Sequence, residues 1–541
     1  MFEKGSISLR SIIKDINWQL LVFLLLFLNV KLVIKIAAMV IIYLLQPNFK
    51  FRLKEKLTPI HFYLSLIVIS LVNWLIFKYY LNFNYNLSLL TGIGFWLLCL
   101  LAFHQLKLMV EGTDTVKLHN TLTVFFVLNS CVSLITVLVI ILKTQHVNPY
   151  TYQGDFQKYF LNTGDYIKGV TFDVSVTNAA ISAFGVVYFL LQNKAKLMLL
   201  CMATLLLTVS NTVNILLMVT IVLVFIFKSI KVQKSLMVAC LMLLIIFMAK
   251  VTPQNMFYID KLYNKVVFNK NVSFDPVPVK ERRITDIPDS ELNKEQRQEK
   301  IAQFYLDTLA LKLQRKEPAV VKVKPARVFV LPIDSIHTAT FQSRADTDFL
   351  QAKLLAFIHT HKNQLPISSF VTTGKLVPGK LMAARQTINY FRNHPVKAIT
   401  GEGIGNFSSK LAFRTTALGV AGGYPAKYAF IGKDFLSNHL DVYLRFFSEK
   451  AGMHSLIHSP DNTYDQLLSE YGLLGTAAFL VIYIGFFIKR YKQLSYGLPL
   501  LLLMLGLFFI GYWFEQLSIV VLFELLMFID LKGHDQKGAV V

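Results

Sequence analysis

A polar segment that begins with His458-Ser-Pro-Asp-Asn462 runs through Glu470 into Gly472-Leu-Leu-Gly475. Imidazole and carboxylate side chains can take a proton from a hydroxyl group when their pKa lies near the working pH. His458 and Asp461 are therefore candidate catalytic bases. Asn462 is a candidate helix cap, because asparagine starts helices well. An apolar run follows directly, and polar groups at such a membrane boundary usually handle a substrate.

The assignment of the base stays open between two residues. Asp461 can accept the proton itself, or it can orient His458 as the second member of a dyad. Asp461 can also be a simple helix cap. His439 and His454 lie nearby in the sequence, and we expect both to be ordinary loop histidines.

Cationic side chains that precede this segment can bind a phosphate group. Arginine suits the role, because its planar guanidinium binds phosphate oxygens in pairs and stays charged. Arg385 is the first candidate. Arg392 lies seven residues later and shares its face on a predicted helix over 381–393. Arg414 and Arg445 are further candidates.

A glycine-rich segment lies between these two groups, with Gly401, Gly403 and Gly405 at alternate positions. It is not a dinucleotide fingerprint, because the last glycine comes one residue early and no strand precedes it. The pattern predicts a tight turn whose exposed backbone amides can approach a phosphate. Lys397, just before the turn, is predicted to be a surface charge.

Neither a metal site nor a cofactor is expected from the sequence. His359 and His361 form a pair, but no carboxylate or cysteine stands at matching spacing. The four cysteines all fall inside apolar runs, so no disulfide framework is expected: Cys99, Cys131, Cys201 and Cys240.

The composition is that of an integral membrane protein. Hydrophobic residues make up 54% of the 541 residues, charged residues only 16%, and the mean hydropathy is +0.51. A soluble chain carries about 25% charged residues. The net charge of +23 can suggest nucleic acid, but membrane proteins collect Lys and Arg on their cytoplasmic loops. We therefore expect a lipid bilayer, and no nucleic acid, as the partner.

Apolar runs of membrane-spanning length predict an all-α polytopic protein with about twelve transmembrane helices. The first two runs and the pair over 196–227 are short. The runs lie at 18–30, 32–46, 59–77, 87–104, 121–142, 175–192, 196–209, 211–227, 235–250, 472–488, 498–512 and 516–531.

Basic residues predict the orientation, because they concentrate on the cytoplasmic side. Four clusters fall on one side if both termini are cytoplasmic. They follow the second, sixth, eighth and tenth runs: Lys50 to Lys56, Lys194 and Lys196, Lys228 to Lys234, and Lys489 to Lys492. The motifs above then lie on the outer face of the membrane.

The orientation leaves one large outer segment between the ninth and tenth spans, which we expect to be a mainly helical domain. Amphipathic patterns predict helices over 290–316, 346–361 and 381–393, and the stretch 270–375 looks like an insertion. The predicted organisation is spans over 1–250, the outer domain over 251–471, spans over 472–531 and a cytoplasmic tail over 532–541.

Charges inside or beside the apolar runs carry separate expectations. Glu524 is costly in a span unless it faces protein or water, so we expect it to pair structurally. Lys31 and Lys35 are predicted to mark the outer end of a short hairpin and to extend to the membrane interface.

Three stretches give the chain a resemblance to the O-antigen ligase and polymerase superfamily of bacterial envelope glycosyltransferases. They are Arg385 to Pro395, Gly401 to Phe407, and Asn462 to Gly475, which includes Glu470, Gly472 and Gly475. They are similar to the family's arginine helix with proline, its Gly-x-Gly-x-Gly-x-Phe turn, and its His-Asn, Glu, Gly-Leu-x-Gly signature. The predicted spans and large outer loop agree with the family layout.

The resemblance implies a glycan donor carried on undecaprenyl pyrophosphate and transfer to an acceptor hydroxyl outside the cytoplasmic membrane. The acceptor can be a lipid, a glycan or a protein. The family implies inverting, metal-independent chemistry, in which arginines hold the pyrophosphate and a loop histidine assists the acceptor. Two departures stand out. Asp461 occupies the family's histidine position, and Ser210-Asn211 stands where the family often has Ser-Arg.

Three alternatives remain from the sequence. A polymerase of the same superfamily uses a second lipid-linked glycan as acceptor. A transporter or flippase predicts two matching halves with broken spans, which the sequence lacks. The third alternative is a membrane-anchored binding or assembly protein. It applies if Asp461, in place of the family's histidine, means that catalytic activity has been lost.

Overall fold

The computed structural model describes residues 15–51, 58–145, 148–151, 163–250, 378–418, 424–442 and 459–538, together with a few positions between 292 and 364. Within these ranges the protein is helical and contains no β-strand. The main helices are α1 (Trp18–Phe27), α2 (Leu32–Leu45), α3 (Pro59–Ile76), α4 (Phe83–Gly112), α5 (Thr115–Thr144), α6 (Ser175–Leu191), α7 (Ala195–Leu207), α8 (Asn211–Phe227), α9 (Lys231–Lys250), α10 (Gly379–Asn393), α11 (Pro395–Thr400), α12 (Lys410–Thr415), α13 (Lys433–Asn438), α14 (Thr463–Ala478), α15 (Gly485–Ile488), α16 (Gly497–Phe508), α17 (Trp513–Gln516) and α18 (Ser518–Gly538).

A helix lies at each of the twelve predicted apolar runs, which confirms the helical assignment of those runs. In the part of the chain that the structure describes, five stretches are both long and apolar enough to cross a membrane, and the total of twelve spans stays a prediction. The five are Pro59–Ile76, Phe83–Gly112, Thr115–Thr144, Lys231–Ala249 and Thr463–Ile488. The last joins α14 to α15 through a π-helical stretch, Phe479–Ile484.

Polar caps start the long helices where the sequence leaves the apolar pattern. The side chain of Asn82 accepts a hydrogen bond from the amide of Tyr85 at the start of α4. Asp114 does the same for Val116 at the start of α5. Each cap satisfies one of the amides that a helix start leaves unpaired, which stabilises a helix by about 1 kcal/mol.

An aromatic cluster fills the centre of the bundle where α3, α4, α14 and α17 meet. Trp96 of α4 lies 5.3 Å from the ring of Phe514 and 5.6 Å from that of Tyr471. Its indole nitrogen donates a hydrogen bond of 2.6 Å to the Tyr471 hydroxyl. Such ring pairs contribute about 0.5–1.5 kcal/mol each beyond their burial. The cluster therefore fixes α14, which carries the predicted site residues, against α4.

The bundle has two distinct ends. At the first, the amide of Asn73 in α3 donates to the carbonyl oxygen of Thr400, and that of Asn84 in α4 donates to the carbonyl of Ala429. The predicted motifs lie here, and we call it the motif end. The other ends of the same helices, near Thr58 and Gly112, form the opposite end.

The contacts of three of the four basic clusters agree with a common location at the opposite end. His104, near the C-terminus of α4, contacts the carbonyl of Lys50. The ammonium of Lys228 donates to the carbonyl of Leu494, which follows the Lys489 to Lys492 cluster. That the opposite end faces the cytoplasm stays a prediction.

Two helices extend beyond the apolar spans that the sequence predicts. α14 begins at Thr463, nine residues before the predicted start of the span at 472. The polar residues that made this turn look like a loop, among them Asp465 and Glu470, are buried against protein instead. α18 continues to Gly538, past the predicted end of the last span at 531.

Of the three charges beside or inside the apolar runs, Lys31 is exposed, whereas Lys35 and Glu524 are buried. Lys35 does not extend to the interface. It is 3% exposed, and its ammonium donates to the carbonyl of Phe27 at 2.7 Å and to the hydroxyl of Ser518 at 3.0 Å. Glu524 is fully buried and accepts a hydrogen bond from the Tyr63 hydroxyl, which confirms the structural pairing.

Candidate functional site

The glycine turn over 401–405 lies directly against the backbone of α14. The amide of Glu402 donates to the carbonyl of Ser469 at 2.9 Å, and the amide of Gly403 donates to the carbonyl of Glu470 at 3.0 Å. Helical carbonyls accept these bonds because α14 is kinked at this point. Two sequence motifs separated by more than sixty residues therefore form one structural unit.

Two glycines make this close approach possible. Gly401 has φ +84° and Gly472 has φ +64°, a region that other residues rarely adopt. A Cβ on Gly401 would lie 2.2 Å from the carbonyl carbon of Glu470, and one on Gly472 would lie 2.4 Å from the carbonyl oxygen of Ile399. Both positions require glycine for backbone conformation and for space.

The carboxylate of Glu470 organises the rest of the turn. It accepts hydrogen bonds from the amides of Gly405 at 2.9 Å and Phe407 at 3.3 Å, and its side chain is fully buried. The turn amides that we expected to be exposed are thus already bonded within the protein. The sequence-based expectation that they approach a phosphate is wrong in this structure.

Lys397 is not the surface charge that the sequence predicted. Its ammonium lies 2.8 Å from the Glu402 carboxylate and 2.9 Å from that of Asp434. Tyr390 adds a hydrogen bond of 2.7 Å to Glu402. Burial raises the pKa of Glu402 to about 7, against the opposing charge of Lys397. This network ties α10, α11 and α13 to the glycine turn.

A buried lysine stands beside Asp461. Lys380 is 3% exposed, and its ammonium donates to the carbonyl of Ser459 at 3.0 Å. Burial lowers its pKa to about 8, while the charge of Asp461 acts in the opposite direction. Sequence reasoning missed Lys380, because it lies just before the helix predicted over 381–393, whereas the observed helix begins at Gly379.

A second lysine, Lys410 at the start of α12, faces the same space. Burial lowers its pKa, and the charge of Arg414 lowers it further. Three carboxylates oppose this shift: Asp173, Asp461 and Glu515. Positively and negatively charged groups therefore both lie near Lys410. Sequence reasoning missed Lys410, because nothing in the neighbouring sequence distinguishes it from an ordinary polar loop residue.

Asp461 is the candidate base that the structure describes. It is half-buried, and its backbone amide donates to the Ser459 hydroxyl at 3.1 Å. Burial raises its pKa, whereas Lys380, Ser459 and Lys410 oppose the rise. The other candidate base, His458, lies outside the described residues, as does His454. Asn462, not Asp461, caps α14, since its side chain accepts from the amide of Tyr464 at 3.0 Å.

The predicted arginines are less central than the lysines. Arg385 and Arg392 share a face of α10, as predicted, but it is the exposed face, which also carries the exposed Leu381 and Ile388. Arg414 is exposed at the end of α12. Arg445 lies outside the described residues.

Buried polar side chains form a second layer behind Asp461 that sequence reasoning did not find. The hydroxyl of Thr387 donates to Asp465 at 2.9 Å, and the amide of Gln386 donates to Asp441 at 2.8 Å. This layer locks α10 to α14. An Asp or Gln on the inner face of an amphipathic helix is the signal that could have revealed it.

His439 is a buried histidine, unlike the loop histidine that we expected. Its ring stacks on Phe407, which ends the glycine turn, at a centroid distance of 4.9 Å. Burial lowers its pKa to about 3, so the imidazole is neutral at ordinary pH. It packs the turn and carries no charge there.

The stretch before α6 also contributes to the motif end. Asp173 accepts a hydrogen bond from Thr177 at 2.9 Å, and its charge acts on both Lys35 and Lys410. Asn178 is buried and bonds to Asn129 at 2.7 Å. Within the described residues, no three His, Cys, Asp or Glu side chains are grouped so as to hold a metal ion.

Comparison with protein-family models, with curated proteins and with solved structures found no match to this chain.

Proposed function

We propose that this protein is a glycosyltransferase of the O-antigen ligase type. It moves a glycan from undecaprenyl pyrophosphate to an acceptor hydroxyl on the outer face of a bacterial cytoplasmic membrane, without a metal ion. One observation carries the proposal: the three stretches that give the resemblance fold against one another at the motif end. Separate motifs converge in this way when they build a shared site.

In this proposal the two lysines, more than the arginines, bind the pyrophosphate. Lys380 and Lys410 present positive charge in a space that is largely shielded from water, where charge interactions are stronger than in bulk solvent. They stabilise the negative charge that develops on the departing lipid pyrophosphate. Arg385 and Arg392, beside exposed apolar residues on α10, meet the lipid-borne phosphate at the membrane surface.

Asp461 serves as the base, or orients His458 for that task. The acceptor oxygen attacks the anomeric carbon, the bond from that carbon to the pyrophosphate oxygen breaks, and the acceptor proton moves to the base. The electron pair of the broken bond leaves on lipid pyrophosphate. A single displacement of this kind inverts the anomeric centre. Burial raises the pKa of Asp461 and brings it nearer the working pH.

Substitution of the two candidate bases tests the catalytic assignment. Asp461→Asn keeps the size of the side chain and removes its basicity, so glycan transfer should fall about 10²–10⁴-fold. His458→Gln should have a comparable effect only if the histidine is the base. Transfer is measured on purified protein with a lipid-pyrophosphate glycan, and donor binding is measured as the control for folding. Full activity of both variants would contradict the proposed site.

The product of the same assay separates the ligase from its nearest alternative. A modified lipid or protein identifies a ligase, and a longer lipid-linked glycan identifies a polymerase. Loss of activity in chelator would contradict the metal-independent mechanism.

A further inference from the structure

A cavity lies at the opposite end of the bundle. It has a volume of about 680 Å³, and the described residues that line it come from α4, the region around α15, and α18. Lys107 lies about 35 Å along α4 from Asn84, which contacts the motif end, at 1.5 Å per residue. The cavity is therefore separate from the proposed transfer site.

Positive charge dominates the rim of this cavity. Lys107, Arg490 and Lys532 line it together with a single carboxylate, Glu111. Lys107 lies 3.8 Å from Glu111 and remains a quarter exposed. That exposed pair offsets little of the total charge, because solvent screens it. The cavity attracts anions.

Arg490 and Lys532 are fixed in place by the protein. One nitrogen of Arg490 donates to the carbonyl of Phe486 at 2.8 Å, and its guanidinium lies 3.9 Å from the centre of the Phe486 ring. Lys532 donates to three carbonyls at the end of α4, those of Val110, Glu111 and Thr113. The two cations are pre-positioned, so an anion that binds there does not have to order them.

Apolar side chains line the inner part of the cavity. The rings of Phe103, Phe486 and Phe528 line it, and all three are buried within the bundle. Phe103 and Phe528 pack with ring centroids 4.8 Å apart. A basic rim over an aromatic floor fits a molecule with an anionic head and an apolar tail.

We propose that this cavity binds an anionic phospholipid from the leaflet at the opposite end. The headgroup phosphate lies at Lys107 and Arg490, and the first part of an acyl chain lies against Phe103 and Phe528. Basic pockets between transmembrane helices bind such headgroups in membrane proteins. Free phosphate shares the charge but makes no use of the aromatic floor, and a volume of this size suits a larger ligand.

Lipid retention by the purified full-length protein tests this proposal. Native mass spectrometry measures bound phosphatidylglycerol against phosphatidylcholine at equal concentrations. The wild type should retain phosphatidylglycerol selectively. Lys107→Gln with Arg490→Gln should weaken that retention about thirtyfold, from about 1 kcal/mol for each basic residue. The matched control, Lys489→Gln with Lys492→Gln, removes two exposed charges nearby and should bind as the wild type does.

A second variant keeps the proposal testable if the charge variant folds poorly. Leu531→Trp retains every charge and fills the cavity, and it should also abolish selective retention. Inorganic phosphate at millimolar concentration should not displace the lipid. The proposal is overturned if the wild type shows no preference, if Leu531→Trp binds normally, or if inorganic phosphate competes fully.

Discussion

At the scale of single residues, two lysines and one aspartate define the motif end. Lys380, Lys410 and Asp461 come from three different segments, and the fold brings their charges into mutual range. Lys380 is buried, whereas Lys410 is partly buried. Their positions explain why the arginines on the outer face of α10 need not enter the site.

Lys410→Gln tests the electrostatic role at the leaving group. It removes one positive charge from the space around Asp461, so glycan transfer should fall about 10²–10³-fold, as for loss of one stabilising donor. The rate is measured with saturating donor. Lys427→Gln removes an exposed lysine outside this cluster and should leave the rate unchanged. An equal effect of both variants would show that general surface charge, not the site, is responsible.

Gly472→Ala tests the close contact between the turn and α14. The new Cβ would lie 2.4 Å from the Ile399 carbonyl oxygen, at a φ that alanine rarely adopts. We expect a loss of roughly 2–4 kcal/mol in the free energy of unfolding in detergent. Gly94→Ala is the control, because nothing lies within 4 Å of its Cβ and its helix should gain about 0.5–1 kcal/mol. Equal stability of the two variants would disprove the docking.

At the scale of elements, the glycine turn and its neighbours act as one connector. Glu470 holds the turn amides from α14, and Lys397 joins Glu402 to Asp434 of α13. Thr387 fastens α10 to Asp465 of α14. The short helices α10 to α13 are thereby fixed to a long helix that continues into the membrane-spanning bundle.

Glu402 gives this connector a pH dependence. Its pKa is raised to about 7 in the folded protein, so the stability it contributes is fully present below the unfolded value of 4.5 and is lost as the pH rises through 7. Between pH 5 and 8 the loss is on the order of 3 kcal/mol. The lowered pKa of Asp434 acts below pH 4, outside this window. Glu402→Gln should flatten the change in melting temperature between pH 5 and 8, and an unchanged slope would contradict this assignment.

The sequence predicted the elements better than their contacts. Apolar runs located a helix at each expected position, and Asn462 was correctly expected as a cap. Lys380 and Lys410 were missed, because burial of a charged residue depends on neighbours that are distant in the sequence. The burial of the polar residues in the first turns of α14 was missed for the same reason, since these residues face protein and not water.

At the scale of the whole molecule, the two ends of the bundle carry different chemistry. The motif end gathers buried lysines and carboxylates around Asp461, whereas the opposite end has a basic cavity with an aromatic floor. The long helix α4 joins the two ends and packs on the aromatic cluster around Trp96. A lipid-linked donor at one end and a structural phospholipid at the other would both depend on this frame.

We propose that the motif end is a site that cleaves the bond between a glycan and lipid pyrophosphate. The direct test is release of free undecaprenyl pyrophosphate from a glycan-loaded donor by the purified wild-type protein, with acceptor present and chelator added. The proposal predicts release that requires acceptor and that falls at least about a hundredfold in Lys410→Gln. Absence of release with any lipid, glycan or protein acceptor, or release unaffected by Lys410→Gln, would contradict it.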